Sequence, residues 1–201
     1  MYRKLFITLG CGLIILGLFG IVKASLMPIK AIIGQHYLEV AWKDSLKSNK
    51  LSKPWKSADF YMVGELTVPK LKISRVILNS VSGEALAWSI GRVTNLVSSS
   101  KNGPIILAGH RDSHMQFMSK LKIGDKIELM MTDGVLKTYE ISNYLITDRP
   151  ELKTFSNKIK MNSLVLTTCW PFNSSTIGTK RYLLIANEYK ISLHNSMKFN
   201  L

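Results

Sequence analysis

Leu164-Val165-Leu166-Thr167-Thr168-Cys169-Trp170-Pro171 sets the frame for the rest of the chain. Residues 164–168 have the apolar and β-branched composition of a buried strand. Trp170-Pro171 turns the chain directly after Cys169. A thiol at the end of a strand is held more rigidly than one on a loop. Cysteine is also a common small core residue, so a structural role stands beside the reactive one.

Two further stretches share the strand-then-polar design. Pro104-Ile105-Ile106-Leu107-Ala108-Gly109 reads as a buried strand and runs into His110, Arg111 and Asp112. A satisfied core histidine would fit that pattern equally well. His114 follows four residues later, whereas His36 and His194 lie far from any such stretch. Arg181 opens the run Arg181-Tyr182-Leu183-Leu184-Ile185-Ala186. Its neighbour Lys180 would point to the opposite face of the strand, so only one of the two can face a shared site. An arginine at a strand end is by itself most often a surface charge.

Together the three residues make a set for acyl transfer. The thiolate is the nucleophile, and a free thiol with a pKa of about 8.5 is only a few per cent ionised at neutral pH. An imidazole can take its proton or stabilise the anion. A guanidinium supplies fixed donors to a tetrahedral oxyanion.

Outside these stretches the pattern is mostly β. Strands are expected at Tyr61–Val68, Ile73–Leu78, Pro104–Gly109, Lys126–Met131, Leu136–Ile146, Ser163–Cys169 and Arg181–Asn187, with turn signals such as Asp133-Gly134 between them. Short helices are expected at Gly83–Ile90 and His114–Lys120. Many short strands with few helices point to an antiparallel barrel or sandwich. Pro28 suits a first helical position, and a helix is expected from there to Lys47, followed by a polar connector containing Lys53-Pro54-Trp55. Burial against the following domain suits Trp42, which is costly to leave in water.

The N-terminus reads differently. Leu5 to Val22 is LFITLGCGLIILGLFGIV, eighteen uncharged residues closed by Lys4 and Lys23. As a helix it spans about 27 Å, near the thickness of a bilayer's hydrocarbon core. It is long for a signal-peptide h-region, and Ala24-Ser25-Leu26 is a poor cleavage site. An uncleaved anchor is expected. Arg3 and Lys4 on the short tail favour a cytoplasmic N-terminus and an extracytoplasmic remainder. Of the two cysteines, Cys11 lies in this run. A bridge to Cys169 would have to reach into the bilayer, so Cys169 is expected as a free thiol.

The 201 residues thus divide into an anchor (1–23), a stalk helix and linker (24–59), a β domain (60–189) and a C-terminal tail (190–201). A domain of that size buries a core without staples. With 46% hydrophobic and 20% charged residues the composition is ordinary for a folded chain. The net charge of +14 fits an anionic membrane surface or simple solubility. No nucleic-acid-binding motif accompanies it, so nucleic acid is not expected as a partner.

At this point the chain resembles the sortases. Val165-Leu166-Thr167-Thr168-Cys169 is similar to their Thr-Leu-x-Thr-Cys signature, with Val165 in place of the first threonine. Leu107-Ala108-Gly109-His110-Arg111-Asp112 is similar to the segment around their catalytic histidine, and Arg181 falls at the spacing of their essential arginine. The stretch from Ala108 to His114, the run Cys169-Trp170-Pro171-Phe172, and the leader from Trp42 through Lys53-Pro54-Trp55 to Ala58-Asp59 resemble the single sortases of Gram-negative bacteria (class GN).

The resemblance covers about residues 60–189 and implies a closed eight-stranded β-barrel with short helices, here behind a transmembrane helix and a stalk. It implies an inner-membrane enzyme facing the periplasm. Its substrate would be a target protein with an LPXTG-like C-terminal sorting signal. Cys169 would form a thioester, His110 would move protons, Arg181 would hold the oxyanion, and an amine acceptor of unknown identity or water would resolve the acyl-enzyme. Thr168 would aid substrate positioning, and Asp112 and His114 would orient the site, with surface or core roles equally open for all three. No cofactor or metal is implied. Some sortases bind calcium, but no acidic cluster supports that here. Two rivals remain: a purely hydrolytic cysteine peptidase, and a non-enzymatic membrane-tethered barrel that binds a partner.

Overall fold

The computed structural model describes residues 2–48, 50–94, 103–148, 159–174 and 178–189. Helix α1 (Tyr2–Ser48) is followed by strands β1 (Met62–Val68), β2 (Ile73–Leu78), β3 (Ile90–Arg92), β4 (Ile105–Ala108), β5 (Lys126–Met131), β6 (Leu136–Asp148), β7 (Ser163–Cys169) and β8 (Lys180–Glu188). The short helix α2 (Gly83–Trp88) lies between β2 and β3, and two 3₁₀ turns cover Pro69–Leu71 and Gln116–Lys120.

The eight strands close into a barrel in the order β1-β2-β3-β4-β7-β8-β6-β5. The one strand not expected from sequence is β3, only three residues long. Its first residue, Ile90, falls where the sequence suggests the end of a helix. Ser82 caps α2 by accepting the Ala85 N–H, and α2 ends at Trp88, which frees Ile90 and Gly91 to pair in parallel with Ile77 and Leu78. Gly91 is required there, because a Cβ would lie 2.1 Å from the Ser80 carbonyl oxygen.

Side chains alternate across the barrel wall. Leu66, Ile77, Leu107, Ile127, Leu129, Leu164, Leu166 and Leu184 fill the interior. On the outside, Val76 and Leu78 of β2 pack with Leu38, Ala41 and Trp42 of α1 and with Phe60 and Ala85. A second outer cluster joins Ile106 of β4, Val165 of β7 and Leu183 of β8, with Val93, Leu145 and Ile159 against it. Strand β7 is therefore covered on both faces, which is why its sequence is a continuous apolar run and not an alternating one.

The chain divides into two compact units, residues 1–37 and a second unit that begins at Leu38. Helix α1 continues through Pro28, where the sequence suggests a new start. Proline holds φ near the helical value and removes only one ladder hydrogen bond. In the first unit Leu13, Ile14, Ile15 and Leu16 are exposed. Among the described residues no helix is long and apolar enough to cross a membrane; the side chains of Leu5, Thr8 and Val22, which complete the uncharged run, lie outside them.

Within the second unit Trp42 is 3% exposed, and its Nε1–H donates to Glu65 Oε2 at 3.0 Å. Trp42→Ala is expected to destabilise this unit by about 3–5 kcal/mol, read as a fall in denaturant midpoint. Val40→Ala, at an exposed position of the same helix, should change it by less than about 0.5 kcal/mol.

Candidate active site

The register of three neighbouring strands brings the expected site residues together. Strands β7 and β8 run antiparallel with Cys169 directly opposite Arg181 and Thr167 opposite Leu183. Opposed residues share a face, so Arg181, not Lys180, lies on the side of Cys169. Strand β4 runs parallel to β7 with Ala108 beside Thr167. His110 follows the end of β4, two residues beyond Ala108. Cys169 and Arg181 therefore end on the outer face whose floor is Ile106, Val165 and Leu183, and His110 follows the end of the strand next to β7.

The ends of β4 and β7 are tied. The Gly109 N–H donates to the Thr167 carbonyl at 3.4 Å, and the Thr168 hydroxyl donates to the Gly109 carbonyl at 2.8 Å. Thr168 is 3% exposed and faces away from the Cys169 side. Its hydroxyl holds the residue before His110. Gly109 itself has no room for a side chain, since a Cβ would meet Met115 Cγ at 2.8 Å.

The turn after Cys169 is fixed from several directions. The Trp170–Pro171 peptide is cis. The Trp170 N–H donates to the Lys180 carbonyl at 3.0 Å. The Trp170 ring stacks on Tyr182 with centroids 5.7 Å apart, and Phe172 meets Tyr182 edge-on at 5.2 Å. Gly178 passes so close beneath that a Cβ would lie 2.0 Å from the Trp170 carbonyl oxygen. The Arg111 guanidinium donates from Nη1 to the Pro171 carbonyl at 2.8 Å and from Nη2 to the Ser174 carbonyl at 2.6 Å. Sequence reasoning gave Arg111 no role; its adjacency to His110 was the only signal.

Cys169 is partly exposed and makes no disulfide, and His110 is exposed. Arg181 is half-buried and donates from Nη1 to the Lys180 carbonyl at 3.2 Å, one of the five N–H donors a guanidinium carries. The Thr167 hydroxyl, in the floor between Val165 and Cys169, is buried without a hydrogen-bond partner among the described residues. Such a group costs about 1–3 kcal/mol until something pairs with it.

Asp112 is exposed. His114 sits with Nε2 3.2 Å from the Ala87 carbonyl. A carbonyl only accepts, so Nε2 carries the proton. Burial pushes the His114 imidazole below its ordinary value; the bond to Ala87 opposes this, and the charges of Arg75 and His110 add to it. Among the described residues no three His, Cys, Asp or Glu side chains converge as metal ligands would.

A closed barrel of this strand order, with Cys, His and Arg at three adjacent strand ends, defines a class, and comparison with known proteins names it. Residues 66–189 match the family model for the sortase domain. The chain belongs to the sortase family, whose members are cysteine transpeptidases. It is 28% identical over 142 residues to Sortase D of Bacillus subtilis (strain 168), covering 71% of each chain. Among solved structures it is similar to a Clostridium perfringens Sortase D5 transpeptidase, with a TM-score of 0.58, 18% identity, and coverage of 79% of this chain and 99% of that one. It is also similar to Clostridium perfringens sortase C with the C-terminal cell wall sorting motif, with a TM-score of 0.54, 17% identity, and coverage of 81% and 90%.

Because Arg111 ties the Cys169 turn through two backbone carbonyls, Arg111→Ala is expected to lower peptide-cleavage activity by about 10–100-fold through misplacement of the nucleophile. Arg111→Lys should fail to rescue it, since an ammonium cannot reproduce the planar fork. Steady-state kinetics of the two variants check this.

Proposed function

We propose that this chain is a membrane-anchored sortase that cuts an LPXTG-like sorting signal in a target protein and passes the acyl fragment to an amine. The observation that carries the reading is the β4–β7–β8 register, which sets Cys169 opposite Arg181 and beside the strand whose end leads into His110. An extended peptide laid along Ile106, Val165 and Leu183 would reach Cys169 at the strand ends. The unpaired Thr167 hydroxyl would meet a backbone group of that peptide.

In the first step Cys169 Sγ attacks the scissile carbonyl carbon. The C–S bond forms, the C–N bond breaks, and His110 gives a proton to the leaving amine. Arg181 donates to the oxyanion. In the second step an amine nitrogen attacks the thioester, the C–N bond forms, sulfur leaves, and His110 takes the amine proton. Water in place of the amine gives hydrolysis.

Anchoring is supported by the uncharged run Leu5–Val22 between Lys4 and Lys23 and by the exposed apolar side chains around it; a helix apolar on all sides belongs in a core or a bilayer. The motifs around His110 and Cys169 favour the single sortases of Gram-negative bacteria, and with them an inner-membrane enzyme whose catalytic domain faces the periplasm. The sorting signal as substrate is supported by the motif solved on the Clostridium perfringens relative.

The test is a fluorogenic LPXTG-type peptide with the full chain in detergent. Cleavage is expected, with a mass adduct that disappears in Cys169→Ala and a rate at least about 100-fold lower in Arg181→Ala. Added amine should convert the hydrolysed product to a conjugate. Cleavage that persists in Cys169→Ala would contradict the mechanism, and hydrolysis unchanged by any amine would make the chain a peptidase.

A further inference from the structure

Strand β6 outruns one of its neighbours. It pairs with β5 only from Leu136 to Glu140. The last ties across that seam are the Ile141 N–H to the Asp125 carbonyl at 3.0 Å and the Gly124 N–H to the Ile141 carbonyl at 2.8 Å. On its other side β6 stays paired with β8 as far as Asp148. From Asn143 onward, one edge of β6 has no strand beside it among the described residues. A bulge between Ile141 and Asn143 precedes this stretch. The Tyr144 N–H donates to the side chain of its own neighbour, Asn143 Oδ1, at 2.8 Å, and not to β8. Backbone groups alternate between the two edges of a strand, so Ile146 and Asp148 also present theirs to the open side.

Side chains on this stretch are uncovered too. Tyr144 lies opposite Leu184, and Ile146 lies opposite Tyr182, which puts both on the inward face of the barrel. Ile141 is 2% exposed, whereas Tyr144 is 55% and Ile146 is 39% exposed. Between this face and the chain that leads into β5 lies a cavity of about 450 Å³. Leu121, Ile123, Ile141, Tyr144 and Leu184 give it apolar walls, and Lys122 lines it as well.

An apolar edge left open is a template for another strand, and proteins commonly blunt such an edge with lysine or proline. Tyr144-Leu145-Ile146-Thr147 holds neither. The charges decide which strand fits. Lys122 lines the cavity, and Lys180 shares the face of Tyr182, two residues along β8. Asp125 is already held by Lys70 at 2.8 Å and by the Lys122 N–H at 2.9 Å. The whole chain carries +14, so a second copy would bring like charge to the same edge.

We propose that the open edge of β6 from Tyr144 to Asp148 docks an extended, acidic segment of a partner protein as an added strand, with an apolar side chain in the cavity and a carboxylate at Lys122. Main-chain bonds along the edge supply affinity, and the cavity and the lysine select the sequence. This face of β8 is the reverse of the one that carries Arg181 opposite Cys169. The surface is therefore separate from the nucleophile and independent of the transpeptidase reading.

The test uses the full chain in detergent and two fluorescent probes: a capped peptide of alternating Glu and Val, and its counterpart of alternating Lys and Val. Anisotropy is expected to show the acidic peptide binding at least about tenfold tighter, the scale of a favourable charged contact. Ile146→Pro removes an N–H that faces the open side and spares the bonds to β8. It should weaken binding of the acidic peptide by about tenfold or more, with the alkylation rate of Cys169 unchanged. Lys122→Glu, at an exposed position, should reverse the preference between the peptides, and this arm stands even where the proline variant does not fold. Hydrogen exchange at the Ile146 amide should slow when the acidic peptide is added to the native chain. Binding of neither peptide, equal binding of both, binding unchanged in Ile146→Pro, or a preference unchanged in Lys122→Glu overturns the proposal. A dimer of the chain that dissociates in Ile146→Pro gives the edge to a second copy and overturns it as well.

Discussion

Everything at the active end of this barrel depends on the alignment of β7 between β4 and β8. A slip of one residue would turn Cys169 inward and put Thr168 in its place. The alignment is held by burial on both faces of β7, with Leu164 and Leu166 in the interior and Val165 in the outer cluster. Such a strand has no polar face to offer water, so no shifted register is tolerable. The Thr168 hydroxyl adds a side-chain tie to the Gly109 carbonyl at the point where β4 gives way to His110. Chemistry at Cys169 is thus a consequence of core packing one residue away.

That arrangement divides the labour around the site. The floor of Ile106, Val165 and Leu183 is apolar and sits under the nucleophile. The turn that follows Cys169 is made rigid by Trp170, Phe172 and Tyr182 and by the two bonds from Arg111. On the side of α2, His114 is bonded to the Ala87 carbonyl.

Much of this was legible in the sequence where one periodicity ruled. β2, β5 and β7 fall where their composition places them, and the pairing of a strand end with Cys169 and another with His110 follows from apolar runs that stop at polar residues. The choice between Lys180 and Arg181 needed the register, because alternation says only that they differ. β3 was hidden because three residues carry no period and Ile90 also fits the end of α2. Arg111 was hidden for another reason. It acts through backbone carbonyls some sixty residues away, which no local pattern encodes. Thr168 was expected to aid substrate positioning with a core role equally open, and it is buried with its hydroxyl on the Gly109 carbonyl.

The central claim is that Cys169 is a nucleophile poised by its neighbours and not a core thiol. The most direct measurement is the rate of alkylation of Cys169 by iodoacetamide in the folded protein, followed by peptide mapping. The account predicts rapid labelling of Cys169 under native conditions, with a lower rate in His110→Ala at an unchanged unfolding midpoint. A Cys169 that labels only after denaturation, or at the same rate with and without His110, would contradict it.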